Sequence, residues 1–302
     1  MSELTRTAIM PLLRLALRED QAQRDLTSRA VLSAGTRITA AIVAKASGIL
    51  AGGQVAAWTF SALDASLRCR VHIRDGARLK PGDRILTVQG DAATIFAAER
   101  TALNFLGHLS GIATLTQAYV QKIRGTHARI YDTRKTLPGL RFLEKYAVRI
   151  GGGMNHRMSL NDAILIKTNH IRVLEHHSRF CGFPEPARGY MVIREAIAKA
   201  RAVRPKRLVA IEATSSREFS HAYRRSSADV VLLDNWSLKE IREAVAFRRA
   251  MSRRWGPIEL EVSGGVTLSN VRAIAKTGVD RISIGRLTHS AASLDMSLRV
   301  IR

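Results

Sequence analysis

ARIYDTRKTLPGLRFLEKYAV, residues 128–148, runs from a short β-rich segment through a charged turn into a helix with apolar residues on one side. The same order recurs along the rest of the chain. Residues 128–131 (ARIY), 163–166 (AILI), 208–211 (LVAI), 230–233 (VVLL), 258–262 (IELEV) and 281–284 (RISI) read as strands, and the helices are clearest at 139–149, 189–204, 237–252 and 268–277. Short apolar runs alternating with amphipathic helices are the pattern of βα units on a parallel sheet. Residues 174–190 have no clean period and read as a loop or an insertion.

Upstream the texture differs. Leu4 to Leu17 has helical spacing, and an irregular stretch follows to Thr27-Ser28. Residues 37–44, 67–73 and 84–89 are short and β-rich, broken by Gly52-Gly53 and by the turn Lys80-Pro81-Gly82-Asp83. A helical pattern then covers Ala92 to Ile123, with Gly107 and Gly111 placed to divide it.

The 302 residues are 46% hydrophobic and 24% charged, which excludes a disordered or fibrous chain. Cys69 and Cys181 form no CxxC pair, so a disulfide framework or zinc ribbon is not expected, and a reducing, cytoplasmic setting is. No apolar run reaches the roughly 18–20 residues of a membrane helix, so no membrane partner is expected. With 48 basic and 25 acidic residues the net charge is +23, which attracts polyanions or small phosphorylated substrates. The charge is dispersed and carries no nucleic-acid motif, so a nucleic-acid partner is not expected.

Charges follow four of the runs: Asp132-Thr133-Arg134-Lys135, Lys167, Glu212 and Asp234-Asn235. One such charge marks only where a strand meets water. Four in succession match an α/β barrel, whose active site forms at the C-terminal strand ends. The last two runs end in Ser263-Gly264-Gly265 and Gly285-Arg286-Leu287-Thr288, loops in which backbone N–H groups can approach a phosphate. Between the first two strands, Arg134, Lys135, His156 and Arg157 gather cationic donors, for which a small polycarboxylate is the natural guest. On the same stretch Lys145 and Arg149 read as solvated or paired with Glu144. Glu212 and Asp234 are hard oxygen donors suited to Mg²⁺ shared with substrate and water; pairing with a neighbouring Arg or Lys is the competing use of each. No zinc spacing and no activated Ser or Cys nucleophile is present.

These blocks resemble the quinolinate phosphoribosyltransferase family over nearly the whole chain. The likeness rests on Glu19-Asp20, Asp25-Leu26-Thr27-Ser28, Gly48 to Gly52, Glu99 to Asn104, Asp132 to Gly139, Asn155-His156-Arg157, Leu233-Asp234-Asn235, Ser263-Gly264-Gly265 and Leu287 to Ser290. The resemblance implies an N-terminal α/β sandwich-like domain (1–111) and an incomplete, seven-stranded α/β barrel (112–290). A C-terminal helix (291–302) would return to the first domain, and the seventh strand would lie near Gly151–Gly153. It implies a homodimer in which Arg100 reaches the partner's site. The implied reaction joins quinolinate to 5-phosphoribosyl-1-pyrophosphate with Mg²⁺, giving nicotinate mononucleotide, pyrophosphate and CO₂ for NAD synthesis. Lys135, Lys167, Glu212 and Asp234 would be catalytic, and the last two would also face the metal. Arg100, Arg134, His156, Arg157 and Lys167 would bind the dicarboxylate. Ser263, Gly264, Gly265, Gly285, Arg286 and Thr288 would take the 5-phosphate.

Two acids usual in the family are missing: Thr168 follows Lys167, and Ala210 stands two residues before Glu212. These departures leave two rivals, a paralogue with another acceptor of the molybdate-transport-associated type, and a non-catalytic polyanion binder.

Overall fold

The computed structural model describes residues 4–177, 182–184, 187–204, 206–223, 228–256 and 258–301. In chain order the elements are α1 (Arg6–Glu19), α2 (Leu26–Val31), β1 (Arg37–Ala44), β2 (Gly48–Ile49), α3 (Gly53–Leu63), β3 (Arg68–Val71), β4 (Arg78–Leu79), β5 (Arg84–Asp91) and α4 (Ala92–Lys122). Then come β6 (Arg129–Tyr131), α5 (Arg141–Ile150), β7 (Ile164–Ile166), α6 (Thr168–His177), α7 (Ala187–Val203), β8 (Val209–Ala213), α8 (Ser216–Tyr223) and β9 (Val230–Asp234). The chain continues through α9 (Leu238–Trp255), β10 (Glu259–Ser263), α10 (Val271–Ala275), β11 (Arg281–Ser283), α11 (Arg286–His289) and β12 (Met296–Val300). It divides into two compact units: Met1–Gln117 with Lys135–Gly153 and Arg286–Arg302, and Ala118–Arg134 with Met154–Gly285.

The first unit is built on an antiparallel sheet in the order β12-β1-β5-β3. Alternation along β1 and β5 turns Ala40, Ile42, Leu86 and Val88 into a core that also takes Leu17 of α1, Phe60 of α3 and Ile95 and Leu106 of α4. The first two helices start where the sequence supplies a cap. Thr5 accepts the Ala8 N–H for α1, and Asp25 accepts the Thr27 and Ser28 N–H groups for α2.

The second unit is a six-stranded sheet in the order β6-β11-β10-β9-β8-β7, every pair parallel. Its central strands read as unbroken apolar runs because helices cover the outer face: Val230, Val231, Leu232 and Leu233 of β9 are all buried. Parallel pairing puts every C-terminal strand end on one edge, which gathers residues 132, 167, 212, 234 and 263 from across the sequence.

Six strands and the α/β class follow the sequence pattern, and several details do not. The expected seventh strand at 151–153 is reduced to one bridge between Tyr131 and Met154, because three consecutive glycines offer no side chains to a sheet face. The expected C-terminal helix is the strand β12, paired antiparallel with β1 from Ala40↔Val300 to Ala44↔Met296; β1 supplies an open edge whose N–H and C=O groups need partners. The irregular segment 174–190 is helical at both ends, α6 reaching His177 and α7 beginning at Ala187; residues 178–181 and 185–186 lie outside the described residues. Lys145 and Glu144 are fully buried rather than solvated. Glu144 accepts from His108 Nε2 at 2.9 Å and from the Leu137 N–H at 3.3 Å, so it ties α5 to α4 and to the loop after Lys135.

Nor do Gly107 and Gly111 divide α4, which runs unbroken through residue 111. They are glycines because the backbone of residues 292–294 crosses the helix there: a Cβ at Gly111 would overlap the Ala292 carbonyl oxygen. Replacing a mid-helix glycine by alanine ordinarily stabilises a helix by up to about 1 kcal/mol. Here the sign reverses, and Gly111→Ala is expected to lower stability by about 2–3 kcal/mol through overpacking, measured as a fall in the urea midpoint.

Candidate active site

The edge formed by the C-terminal strand ends of the second unit begins at Asp132, directly after β6. Asp132 is fully buried, and its carboxylate accepts from Asn155 Nδ2 at 2.5 Å and from the His156 N–H at 2.8 Å. The Asp132 N–H donates to the Met154 carbonyl at 3.1 Å. One residue therefore fastens 154–156 beside the end of β6 and fixes the segment that carries Arg157.

Arg134 and Arg157 both lie at this join, near enough for the one to act on the charge of the other. Burial, and after it the repulsion of the Arg134 guanidinium, hold Arg157 below the usual arginine value. Arg157 donates from one terminal nitrogen to the Ala163 carbonyl at 3.1 Å, and among the described residues no carboxylate pairs with it. A partly buried guanidinium beside a second one is suited to an anion, and its planar fork suits a carboxylate. Lys167 follows β7 with its ammonium exposed, and its N–H is held by His170 Nδ1 at 2.8 Å.

Glu212 and Asp234 end the neighbouring strands β8 and β9, which pair in parallel. Glu212 Oε1 accepts from the Thr168 hydroxyl at 2.9 Å, and Asp234 Oδ2 accepts from Asn235 Nδ2 at 3.0 Å. Their second oxygens, Glu212 Oε2 and Asp234 Oδ1, have no partner among the described residues. Thr168, which stands where an acid is usual in the family, thus serves to orient Glu212, and Ala210 is buried on the same strand. No group of three or more His, Cys, Asp or Glu side chains among the described residues could hold a metal alone.

After β10 the backbone turns through Gly264 (φ +87°) and Gly265 (φ +61°). Asn235, itself left-handed at φ +60°, donates its N–H to the Ser263 carbonyl at 2.9 Å. A Cβ at Gly264 would overlap the Asn235 side chain, so both the dihedral and the packing require glycine. Among the described residues the N–H groups of Gly264 and Gly265 have no acceptor. Successive N–H groups in this conformation form an anion nest. Gly285 follows β11 and leads into the exposed Arg286 of α11.

In the first unit, Thr288 is buried and its hydroxyl donates to the Lys135 carbonyl at 2.6 Å, so it shapes the lysine loop. Arg100, on α4, lines a cleft of about 460 Å³ with Glu19, Asp20, Asn104 and His108.

Two residues that sequence reasoning left out of the site stand out. Asp132 was visible as a strand-end charge, but its organising role depends on full burial. Glu261, inside β10, is completely buried beside His156 and had no signal beyond being one of two acids alternating with apolar residues.

Residues 25–110 match the family described as quinolinate phosphoribosyl transferase, N-terminal domain, and residues 112–299 match its C-terminal domain. A carboxylating nicotinate-nucleotide pyrophosphorylase of Mycobacterium leprae is 40% identical over 289 residues, covering 95% of each chain. A probable one of Bacillus subtilis is 39% identical over 282 residues, 93% of this chain and 90% of the relative. The crystal structure of NadC from Streptococcus pyogenes superposes with a TM-score of 0.85 at 36% identity, covering 98% of each chain.

If Asp132 organises the edge, Asp132→Ala leaves buried donors on Asn155 and His156 unsatisfied. The expected loss is about 3 kcal/mol of stability, read from the urea midpoint, at about 1–3 kcal/mol per orphaned group.

Proposed function

The chain belongs to the quinolinate phosphoribosyltransferase family and is an enzyme of the carboxylating nicotinate-nucleotide pyrophosphorylase type, and from that premise we propose how its strand-end residues carry the reaction. The molybdate-transport-associated and non-catalytic alternatives are not favoured by these relationships. The substrates are quinolinate and 5-phosphoribosyl-1-pyrophosphate, and the products are nicotinate mononucleotide, pyrophosphate and CO₂. The observation that carries the assignment of the acceptor pocket is the pair Arg134 and Arg157, two partly buried cations close enough for the first to depress the pKa of the second.

Arg134, Arg157 and Lys167 grip the dicarboxylate and hold the pyridine nitrogen toward the ribose. The enzyme works as a homodimer, and Arg100 reaches this pocket from the partner subunit. The N–H groups of Gly264 and Gly265, with Ser263 and the Gly285-Arg286 turn, take the 5-phosphate. The C1–O bond to pyrophosphate breaks with its electron pair leaving on oxygen, and positive charge grows on the ribose. Glu212 and Asp234 lie on adjacent strand ends where fixed carboxylates stabilise that charge, while Lys135, next in the chain to Arg134, offsets the charge of the leaving group. The pyridine nitrogen supplies the new bond to C1, so the protein needs no nucleophile. The quaternised nitrogen then accepts the influence of the electron pair left on the adjacent carbon when CO₂ departs, and a proton from water takes that pair. This last step relies on orientation more than on a protein acid or base.

The donor set fits Mg²⁺. Glu212 Oε2 and Asp234 Oδ1 are hard oxygens without partners among the described residues, and carboxylates of this kind suit a cation shared with substrate phosphates and water. When bound, the ion offsets charge on the pyrophosphate. No described helix is long and apolar enough to cross a membrane, and the cytoplasm is the compartment we assign.

The test is formation of nicotinate mononucleotide from purified protein, quinolinate, phosphoribosyl pyrophosphate and Mg²⁺, each omitted in turn, with nicotinate as a parallel acceptor. Quinolinate-dependent product is expected; product from nicotinate alone would overturn the acceptor assignment. Arg157→Ala should fold and lose kcat/KM for quinolinate by at least about a hundredfold, as for loss of one partner of a desolvated charge pair. Chelation should abolish turnover, and added Mg²⁺ should restore it.

A further inference from the structure

Inside the second unit, alternation places Glu259, Glu261 and Ser263 on one face of β10 and Arg281 and Ser283 on the same face of β11. At the lower level Arg281 pairs with Glu259 and lies with its guanidinium 5.0 Å from the Tyr131 ring centroid. One level nearer the strand ends is Glu261. It is fully buried between Leu260 and Val262, and an unpaired carboxylate in such a place costs several kcal/mol. An apolar residue would suit the core better, so the acid has to be accounted for by what it touches.

Glu261 Oε1 accepts from the Ser283 hydroxyl and lies 3.4 Å from His156 Nε2, while Oε2 is buried with no hydrogen-bond partner. On the far side of the ring, His156 Nδ1 accepts the Arg157 N–H at 2.8 Å. An accepting Nδ1 assigns the ring proton to Nε2, the nitrogen turned toward Glu261. The ring therefore has one edge on the buried acid and the other on the main chain of Arg157. The guanidinium of Arg157 is held separately by the Ala163 carbonyl.

We infer that Glu261 is a positioning residue for acceptor binding: with Ser283 it sets the tautomer and tilt of His156, and His156 in turn fixes the backbone of Arg157 so that its guanidinium meets the quinolinate carboxylate. The inference rests on the acceptor assignment made above. It gives His156 a different task from direct contact with substrate, since both ring nitrogens face protein groups. A carboxylate that orients an imidazole through its N–H is a common supporting arrangement.

The experiment compares the full-length wild type with Glu261→Gln, His156→Phe, the double variant and Ser283→Ala, varying quinolinate and phosphoribosyl pyrophosphate separately. Glu261→Gln is expected to raise KM for quinolinate about tenfold, to leave KM for phosphoribosyl pyrophosphate within about twofold and kcat nearly unchanged, as for loss of ground-state binding. Its thermal midpoint should not fall, since a buried charge has been removed. In the His156→Phe background the same substitution should add nothing, because residues acting as one chain are not additive. Ser283→Ala should raise the quinolinate KM in the same direction by about threefold, and it carries the test if Glu261→Gln does not fold. Equal shifts in both KM values, independent effects in the double variant, or an unchanged quinolinate KM in the folded single variants would overturn the inference. Absence of quinolinate turnover in the wild type would instead overturn the reading of function on which it stands.

Discussion

The buried carboxylate of Asp132 is the contact on which the substrate edge depends. It stands where β6 meets the mouth, and it collects the Asn155 side chain and the His156 N–H while its own N–H closes on Met154. Without it, the three glycines at 151–153 would leave the following segment attached to the sheet by one bridge and little else. With it, the segment that leads into Arg157 is fastened beside the end of β6, near enough to Arg134 for the two guanidinium groups to repel. The repulsion persists because the anchors are backbone and side-chain hydrogen bonds in a buried setting, where satisfied polar groups resist rearrangement.

The loops carrying the other groups are secured by comparable means, each a hydrogen bond from a residue outside the chemistry. Thr288 holds the Lys135 carbonyl, Glu144 holds the Leu137 N–H, Thr168 holds Glu212, and the Asn235 backbone holds the Ser263 turn. The reacting groups are then placed by short-range geometry, which is what electrostatic stabilisation of a transient charge demands.

How much of this was legible in the sequence depends on whether a residue's role is local. The strands β6 to β11 were visible because burial on both faces makes apolar runs such as Val230 to Leu233, and the strand-end charges followed by position. The helix expected at the C-terminus came from the family resemblance alone, and Met296 to Val300 is instead a strand through its pairing with the edge of β1, a tertiary fact. Gly107 and Gly111 looked like breaks in α4, since their purpose is the close crossing of residues 292–294. Glu261 is the sharpest case. Within IELEV, Glu259 and Glu261 share a face and a residue type, yet one is exposed and paired with Arg281 while the other is buried against His156. They alternate on the same strand, and only depth in the sheet separates a surface ion pair from an acid buried against His156.

The replacement of usual acids by Thr168 and Ala210 bears on the net charge of +23. Both substrates are anions, one a dicarboxylate and the other carrying a phosphate and a pyrophosphate. An acid at either position would place another negative charge near Glu212. Thr168 keeps the hydrogen bond that orients Glu212 and omits that charge, and Ala210 fills the sheet interior without adding one. The field at the mouth is therefore less opposed to polyanions, in the same sense as the excess of 48 basic over 25 acidic residues across the chain. Long-range attraction of this kind raises encounter rates and weakens with salt, without requiring any one surface lysine or arginine to touch the ligand. The dispersed basicity and the two missing acids thus favour the same step, the arrival of two anions at a site whose contacts are set by hydrogen bonds.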